Sequence, residues 1–381
     1  MRRVYCDANA TTPLLPEVLE AMRPYWIEQF GNASSIHREG QQARKAVDRA
    51  RETLARFFNC REAEVVFNSG GTEGDNTAIF GLVRAGDHFI TTSIEHPAVL
   101  QAAGRMAERG AQVTYIAPQS NGRIDPEAIR AAVTPQTRLI SVMLANNETG
   151  VLQPVEEIGK IAVEAGAFFH IDAVQGAGKV PFDVQRFGCH LCSISAHKMH
   201  GPKGVGAMYV RRGTPIDSLI VGGSHERKQR AGTENVAGIA GLGKAAELAM
   251  ESLENGTVER VAALRDRLEA GVLAIAGTRV NGEGAPRAAN TTNISFEQLE
   301  GEALVIALDL KGVAVSGGPA CHSGATEPSH VLMAMGLDKN AARASLRFSL
   351  LKTATNEDVD HVLSVVPEAV ERLRALSPVA S

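Results

Sequence analysis

The most chemically loaded stretch of the chain is Ser195-Ala196-His197-Lys198-Met199-His200-Gly201-Pro202-Lys203-Gly204. It places a lysine just past an apolar, strand-like run, flanked by Ser and His and followed by a Gly-Pro turn. A lysine at a strand end is ordinarily a solvated charge. Held in a cleft, it can instead serve as an amine nucleophile, provided burial or cationic neighbours keep part of it unprotonated. Asp172 closes the apolar run Ala167–Ile171, and Gln175 follows it. Asn68-Ser69-Gly70-Gly71-Thr72-Glu73 leads from another apolar run through two glycines into a helical pattern. Backbone N–H groups and a helix dipole at such a turn suit a phosphate, with the Thr72 hydroxyl adding a donor.

A carboxylate 26 residues ahead of a candidate amine nucleophile, each at a strand end, suits pyridoxal phosphate. The acid keeps the pyridine nitrogen protonated, and the ring becomes an electron sink. Alone, a Gly-Gly-Thr turn says little. In open α/β sheets, however, ligands sit beyond the carboxyl ends of the strands. Lys198, Asp172, the Gly70-Gly71-Thr72 turn and Glu95-His96-Pro97 all fall at such ends. Their coincidence outweighs any one of them.

The elements that must position these residues alternate along the middle of the chain. Strand patterns cover 64–68, 88–93, 112–116, 138–144, 167–172, 190–195 and 204–210. Helical patterns cover 72–84, with Thr72 as N-cap, then 97–109, 125–132 and 155–165. Near-continuous apolar strands separated by helices imply a mainly parallel sheet covered on both faces. Helical stretches 16–28 and 35–58 precede this block, and 234–253 and 258–276 follow it. The last hundred residues mix strands (293–296, 314–316, 345–349) with helices (300–310, 356–376), an α+β pattern. The expectation is a large domain over 16–255 and a smaller one built from 1–15 and 256–381.

Composition sets outer limits. The 381 residues carry 39 Lys and Arg against 43 Asp and Glu, a net charge of −4, which favours neither nucleic acid nor an anionic membrane. Aromatics at 4% leave little for stacking single-stranded bases. No apolar run approaches the roughly 18 residues of a membrane span. Met1-Arg2-Arg3-Val4-Tyr5 has no apolar core of a secretory signal, so the expected location is the cytoplasm. Cys6, Cys60, Cys189, Cys192 and Cys321 are scattered and odd in number, unlike a disulfide framework. Cys189 and Cys192 have no second pair at zinc spacing, so they read as structural and no metal is expected.

Taken together the motifs resemble the cysteine desulfurases of the NifS/IscS type, pyridoxal-phosphate enzymes of the aspartate-aminotransferase fold. The resemblance runs through Tyr5–Pro13, Gly31–His37, Asn68–Asn76, Glu95-His96, Asn146–Gly150, His170–Gln175 and Ser195–Gly204. It continues through Arg230–Asn235, Ala320-Cys321, Glu327–His330 and Ser345–Ser349, so it spans nearly the whole chain. It implies a large three-layer α/β/α domain, a smaller α+β domain and a homodimer.

The resemblance also assigns roles. Lys198 would link to pyridoxal phosphate, Asp172 would pair with the pyridine nitrogen, and Gln175 would bond the ring hydroxyl. His96 would stack on the ring and move protons. Asn147 would face the ring hydroxyl and the substrate carboxylate. Gly71, Thr72, Ser195 and His197 would hold the phosphate, and Thr233 would reach the phosphate in the other subunit. Arg347 would clamp the carboxylate of L-cysteine. Cys321, on a small-residue loop at about 316–327, would take the substrate sulfur as a persulfide, releasing L-alanine. It would then pass the sulfur to an acceptor such as an iron–sulfur scaffold.

Plainer readings accompany each residue. Asp172 suits a helix cap, Thr233 an N-cap, Asn147 a turn brace and Arg347 one half of a structural ion pair. The chain departs from the family at Pro319, at His322 and at Leu350-Leu351-Lys352. A selenocysteine lyase or other β-lyase would use the same cofactor residues without needing Cys321. A non-enzymatic iron–sulfur assembly protein would need neither Lys198 nor Asp172.

Overall fold

The computed structural model describes residues 2–317 and 327–376. The strands, in chain order, are β1 (Val4–Tyr5), β2 (Val65–Asn68), β3 (His88–Thr92), β4 (Gln112–Ile116), β5 (Thr137–Ser141) and β6 (Phe168–Asp172). They continue with β7 (Leu191–Ser195), β8 (Gly206–Val210), β9 (Thr278–Val280), β10 (Thr291–Phe296), β11 (Val313–Ala314) and β12 (Ser345–Ser349). Seven of them form the main sheet in the order β2-β8-β7-β6-β5-β3-β4. From β7 to β4 the neighbours run parallel, and β8 alone is antiparallel to both of its neighbours.

Side-chain alternation explains why both faces of this sheet are apolar. Phe89, Leu139 and Leu191 pack with Ile79, Leu82, Val99 and Met106 of the helices Gly71–Leu82 and Pro97–Glu108. Their chain neighbours Ile90, Ile140 and Cys192 point the other way, toward Val47, Leu54, Phe58, Ile158 and Ile161. Each strand therefore reads as a continuous apolar run, because successive residues are buried by different layers.

A second apolar cluster joins Val4 and Cys6 to β10, β12 and the helices Thr257–Leu273, Gly301–Leu310 and Asn356–Leu376. The antiparallel sheet β12-β10-β9 lies here, as does the parallel pair β1–β11. Val331, Leu332, Met335 and Ala342, though late in the chain, pack with the first cluster.

Several local expectations are corrected. The stretch 16–28 is two helices, Pro16–Met22 and Pro24–Ile27, divided where Pro24 removes an N–H donor. The helix Gly71–Leu82 is capped by Gly70, at φ +145°, and Thr72 lies within its first turn. Thr233 caps nothing; the Asn235 side chain accepts from Gly238 N–H and caps Val236–Glu254. The short elements β1, β9, Val184–Phe187, His330–Ala334 and Lys339–Arg343 leave no signal in the sequence, since two to five residues give periodicity too little to show.

Candidate active site

The carboxyl ends of β6 and β7 and the start of the helix Gly71–Leu82 open onto one cavity of about 290 Å³. That volume is near the lower end of ordinary ligand cavities, about 300–1,000 Å³. Gly71, Thr72, His96, Asn147, Asp172, Gln175, Ser195, His197 and Lys198 all line it. Nine of the sequence-predicted residues thus converge on one space.

Each end of the cavity has its own chemistry. Lys198 closes the 3-10 turn Ala196–Lys198, just past β7. Its ammonium donates to the backbone carbonyls of Asn9 and Ala10, which brings the N-terminal strip against the amine. Thr12 secures that strip: its N–H bonds His197 O (2.9 Å), and its hydroxyl oxygen accepts from His200 N–H (2.7 Å). Opposite, Asp172 is buried and accepts from Val174 N–H at 2.9 Å. Burial pushes its carboxyl pKa up, against the pull of His96 and Lys198.

His96 caps its helix, with Nδ1 accepting from Ala98 N–H at 3.1 Å. Burial lowers its pKa, so the ring is neutral near pH 7 and carries its proton on Nε2. His197 bonds Thr11 Oγ1 at 3.1 Å, and burial followed by Lys198 brings its pKa down to about 4. Gln175 donates from Nε2 to Asn9 O at 2.8 Å.

These residues fit pyridoxal phosphate. The Gly70–Thr72 turn, Ser195 and His197 form an end lined by backbone N–H groups and short donors, as a phosphate requires. A methyl group at Gly71 would lie 2.5 Å from Val174 Cγ2, so a glycine is what keeps that end open. A buried carboxylate and an amine face the rest of the space, matching a basic pyridine nitrogen and an aldehyde carbon.

Other predicted residues lie elsewhere. Thr233 is exposed and is not part of this cavity. Arg347, on β12, is 1% exposed; its Nη2 donates to Asp7 Oδ1 (2.6 Å) and its Nη1 to Asn147 O (2.8 Å). The guanidinium is thus in an ion pair and stands next to the cavity-lining Asn147. Cys321 lies outside the described residues.

The structure also adds residues that the motifs did not single out. Asn9 joins the N-terminal strip to Asn147, Gln175, Lys198, Asn290 and Thr291 through its backbone and side chain. Asp75 lines the cavity from the helix Gly71–Leu82; its Oδ1 is buried without a hydrogen-bond partner, 3.5 Å from His170 Nε2. Burial, reinforced by the charge of Asp172, pushes the Asp75 carboxyl well up. Asp75 reads in sequence as one more polar residue in a helix. Only its closeness to Asp172 makes it notable.

Glu95 is a third buried carboxyl, directly before His96. One oxygen accepts from the Thr92 hydroxyl (2.7 Å) and Met143 N–H (3.0 Å), and the other has no partner. Burial pushes its pKa from 4.5 up to about 8. A carboxyl raised on folding favours the folded state below the unfolded value and loses that contribution as pH rises through the folded one. Glu95→Gln is therefore expected to flatten the fall in stability between about pH 5 and pH 8, read from urea midpoints against wild type. Identical pH dependence in the two proteins would remove Glu95 as the titrating group.

Known proteins resemble this chain over nearly its whole length. The aminotransferase class-V family model matches residues 4–362. A cysteine desulfurase from Nostoc sp. is 49% identical over 382 residues, covering 99% of this chain and 95% of that protein. The cysteine desulfurase IscS of Methanosarcina thermophila is 49% identical over 381 residues, covering 99% of this chain and 94% of that protein. Among solved structures, a NifS-like protein superposes with a TM-score of 0.90 at 37% identity, covering 97% of this chain and all of that one. SspA in complex with cysteine superposes with a TM-score of 0.81 at 34% identity, covering 91% of this chain and 98% of that one. A cavity that pairs a lysine with a buried aspartate, on a chain alike from end to end, leaves one assignment: the chain belongs to the class-V aminotransferase family, among its pyridoxal-phosphate-dependent cysteine desulfurases.

Proposed function

We propose that the chain takes sulfur from L-cysteine, releases L-alanine and holds the sulfur as a persulfide on Cys321 for delivery to an acceptor protein such as an iron–sulfur scaffold. What carries this reading is the convergence of Lys198 and Asp172 on one cavity. Pyridoxal phosphate, when bound, supplies the electron sink that makes the substrate Cα–H acidic. Lys198, held over the cavity by the Asn9 and Ala10 carbonyls, takes that proton when it is the neutral amine. Asp172 would pair with the protonated pyridine nitrogen, whose positive charge offsets the burial that raises the carboxyl pKa. Neutral His96 holds a proton on Nε2 and passes it within the cavity. Gly71, Thr72, Ser195 and His197 hold the phosphate, and Asn147 and Arg347 orient the substrate carboxylate. The Cys321 thiolate attacks the substrate sulfur: the Cβ–S bond breaks, an S–S bond forms, and protons complete L-alanine and the persulfide.

The working form is a homodimer in the cytoplasm, with Thr233 turned toward the partner's phosphate. Thr233 is exposed here, and Trp26, Ile27, Phe30, Ile36 and Val221 are 54–91% exposed on the single chain, which supports a partner surface. The cluster that joins Val4 and Cys6 to residues between Val261 and Val370 supports a small domain from 1–15 and 256–381 beside a large one over 16–255, although Val331, Leu332, Met335 and Ala342 pack with the large domain's cluster.

Purified holoenzyme given L-cysteine and a thiol reductant is expected to release alanine and sulfide in equal amounts, and Cys321→Ala to release neither. Sulfide release that survives in Cys321→Ala would replace this reading with a β-lyase.

A further inference from the structure

Lys179 has no part in the reaction just described, yet its ammonium sits among the residues that carry it. Nζ donates to Gln175 Oε1 at 2.8 Å and to Asn9 Oδ1 at 3.1 Å. Both acceptors are neutral. Burial, and after it the cations Lys198 and Arg347, push its pKa well below the ordinary lysine value. A cation in such a place costs stability.

What this cation does is settle the direction of two amides. The oxygen and nitrogen of an amide are nearly the same size, so shape alone does not choose between its two flips. Lys179 Nζ donates to both amides, so the end of each amide that faces it is oxygen. With Oε1 held by Lys179, the Gln175 nitrogen points away. One N–H goes to Asn9 O at 2.8 Å, and the other is left for the cavity that Gln175 lines. Asn9 follows the same logic: Oδ1 accepts from Lys179 and from Asn290 Nδ2, while Nδ2 donates to Asn147 O and Thr291 Oγ1.

We propose that Lys179 is a positioning residue that fixes the Gln175 amide with its nitrogen toward the cavity, so that a donor and not a carbonyl oxygen meets the cofactor's ring oxygen. This rests on Gln175 being the ring-oxygen partner. Without the Lys179 donor only the bond to Asn9 O opposes a flip, and the amide turns over more readily, setting its oxygen against the ring oxygen. The ring oxygen then holds negative charge less well, and the visible absorbance of the lysine-linked cofactor titrates at higher pH.

Removing a positive charge near Lys198 would move that titration the same way, so a single variant does not separate the two causes. A double-mutant cycle does. Absorbance would be titrated in holoenzyme of wild type, Lys179→Met, Gln175→Ala and the double variant. Lys179→Met and Gln175→Ala are each expected to raise the midpoint by about half a pH unit or more, and the double variant to match Gln175→Ala alone. Lys179→Arg, which keeps donors toward both oxygens, is expected to titrate close to wild type. Equal shifts from Lys179→Met in both backgrounds would mean that Lys179 acts through its charge, and the proposal would be wrong. Should Lys179→Met fail to fold, Lys179→Gln takes its place in the same cycle. A wild-type protein with no titrating cofactor band would sink the reading of the whole cavity, and the proposal with it.

Discussion

Lys198→Ala is expected to keep the fold, lose the cofactor absorbance near about 390–420 nm, and slow L-cysteine turnover by roughly 10⁴-fold or more. The fold survives because the lost amine mostly leaves its partners satisfied. Asn9 O keeps the donor from Gln175, and Ala10 O gives up a bond worth about 1 kcal/mol. The chemistry does not survive, because among the described residues Lys198 is the one lysine that lines this cavity. Lys179, the neighbouring lysine, is held by Gln175 and Asn9. Lys198→Arg separates the two contributions: it keeps a cation near the carbonyls but cannot link to an aldehyde, so it should be as inactive as alanine. Activity within about tenfold of wild type in either variant would overturn the assignment of Lys198.

Arg347 carries the second large effect, and its sign depends on which partner is lost. The guanidinium is buried against Asp7 Oδ1 and Asn147 O, with Nε unpartnered. Arg347→Lys keeps the charge but loses the planar pair of donors. The KM for L-cysteine is expected to rise about 100-fold, with little change in the unfolding midpoint. Arg347→Leu leaves the Asp7 carboxylate without its ion pair. Breaking a fully buried pair costs about 3–5 kcal/mol, and the 19% side-chain exposure of Asp7 puts the loss below that. Asp7→Asn frees Nη2 for the substrate and is expected to lower KM. A KM unchanged in Arg347→Lys would leave Arg347 purely structural. A KM that rises in Asp7→Asn would make Asp7 the group that aims the guanidinium.

How far the site could be read from sequence follows chain distance. Lys198, Asp172, His96 and the Gly70–Thr72 turn each stand at the end of an apolar strand, and strand ends in a parallel sheet share one edge. Type and local spacing were therefore enough to bring them together. Asn9 and Asp7 stand in no such relation. Their partners Lys198 and Arg347 are 189 and 340 residues away, and nothing in the residues between encodes that meeting. Lys179 looks like an ordinary basic residue until Gln175 and Asn9 are seen to share it. Arg347 had both readings open, clamp and ion pair. The structure shows the ion pair, formed beside the cavity.

The N-terminal strip carries a consequence for biosynthesis. Val4 and Tyr5 pair only with Val313 and Ala314, and Asp7 bridges to Ser349. On the ribosome the strip is made first, and its partners emerge more than 300 residues later. When the seven-stranded sheet is complete at Val210, the strip can be held by Thr12 on His197 and His200 and by Asn9 on Asn147, Gln175 and Lys179, but its strand partners are still unmade. A chain cut before residue 313 keeps Lys198 and Asp172 but lacks both of the strands on which the strip rests. The first residues synthesised thus complete their strand pairing last.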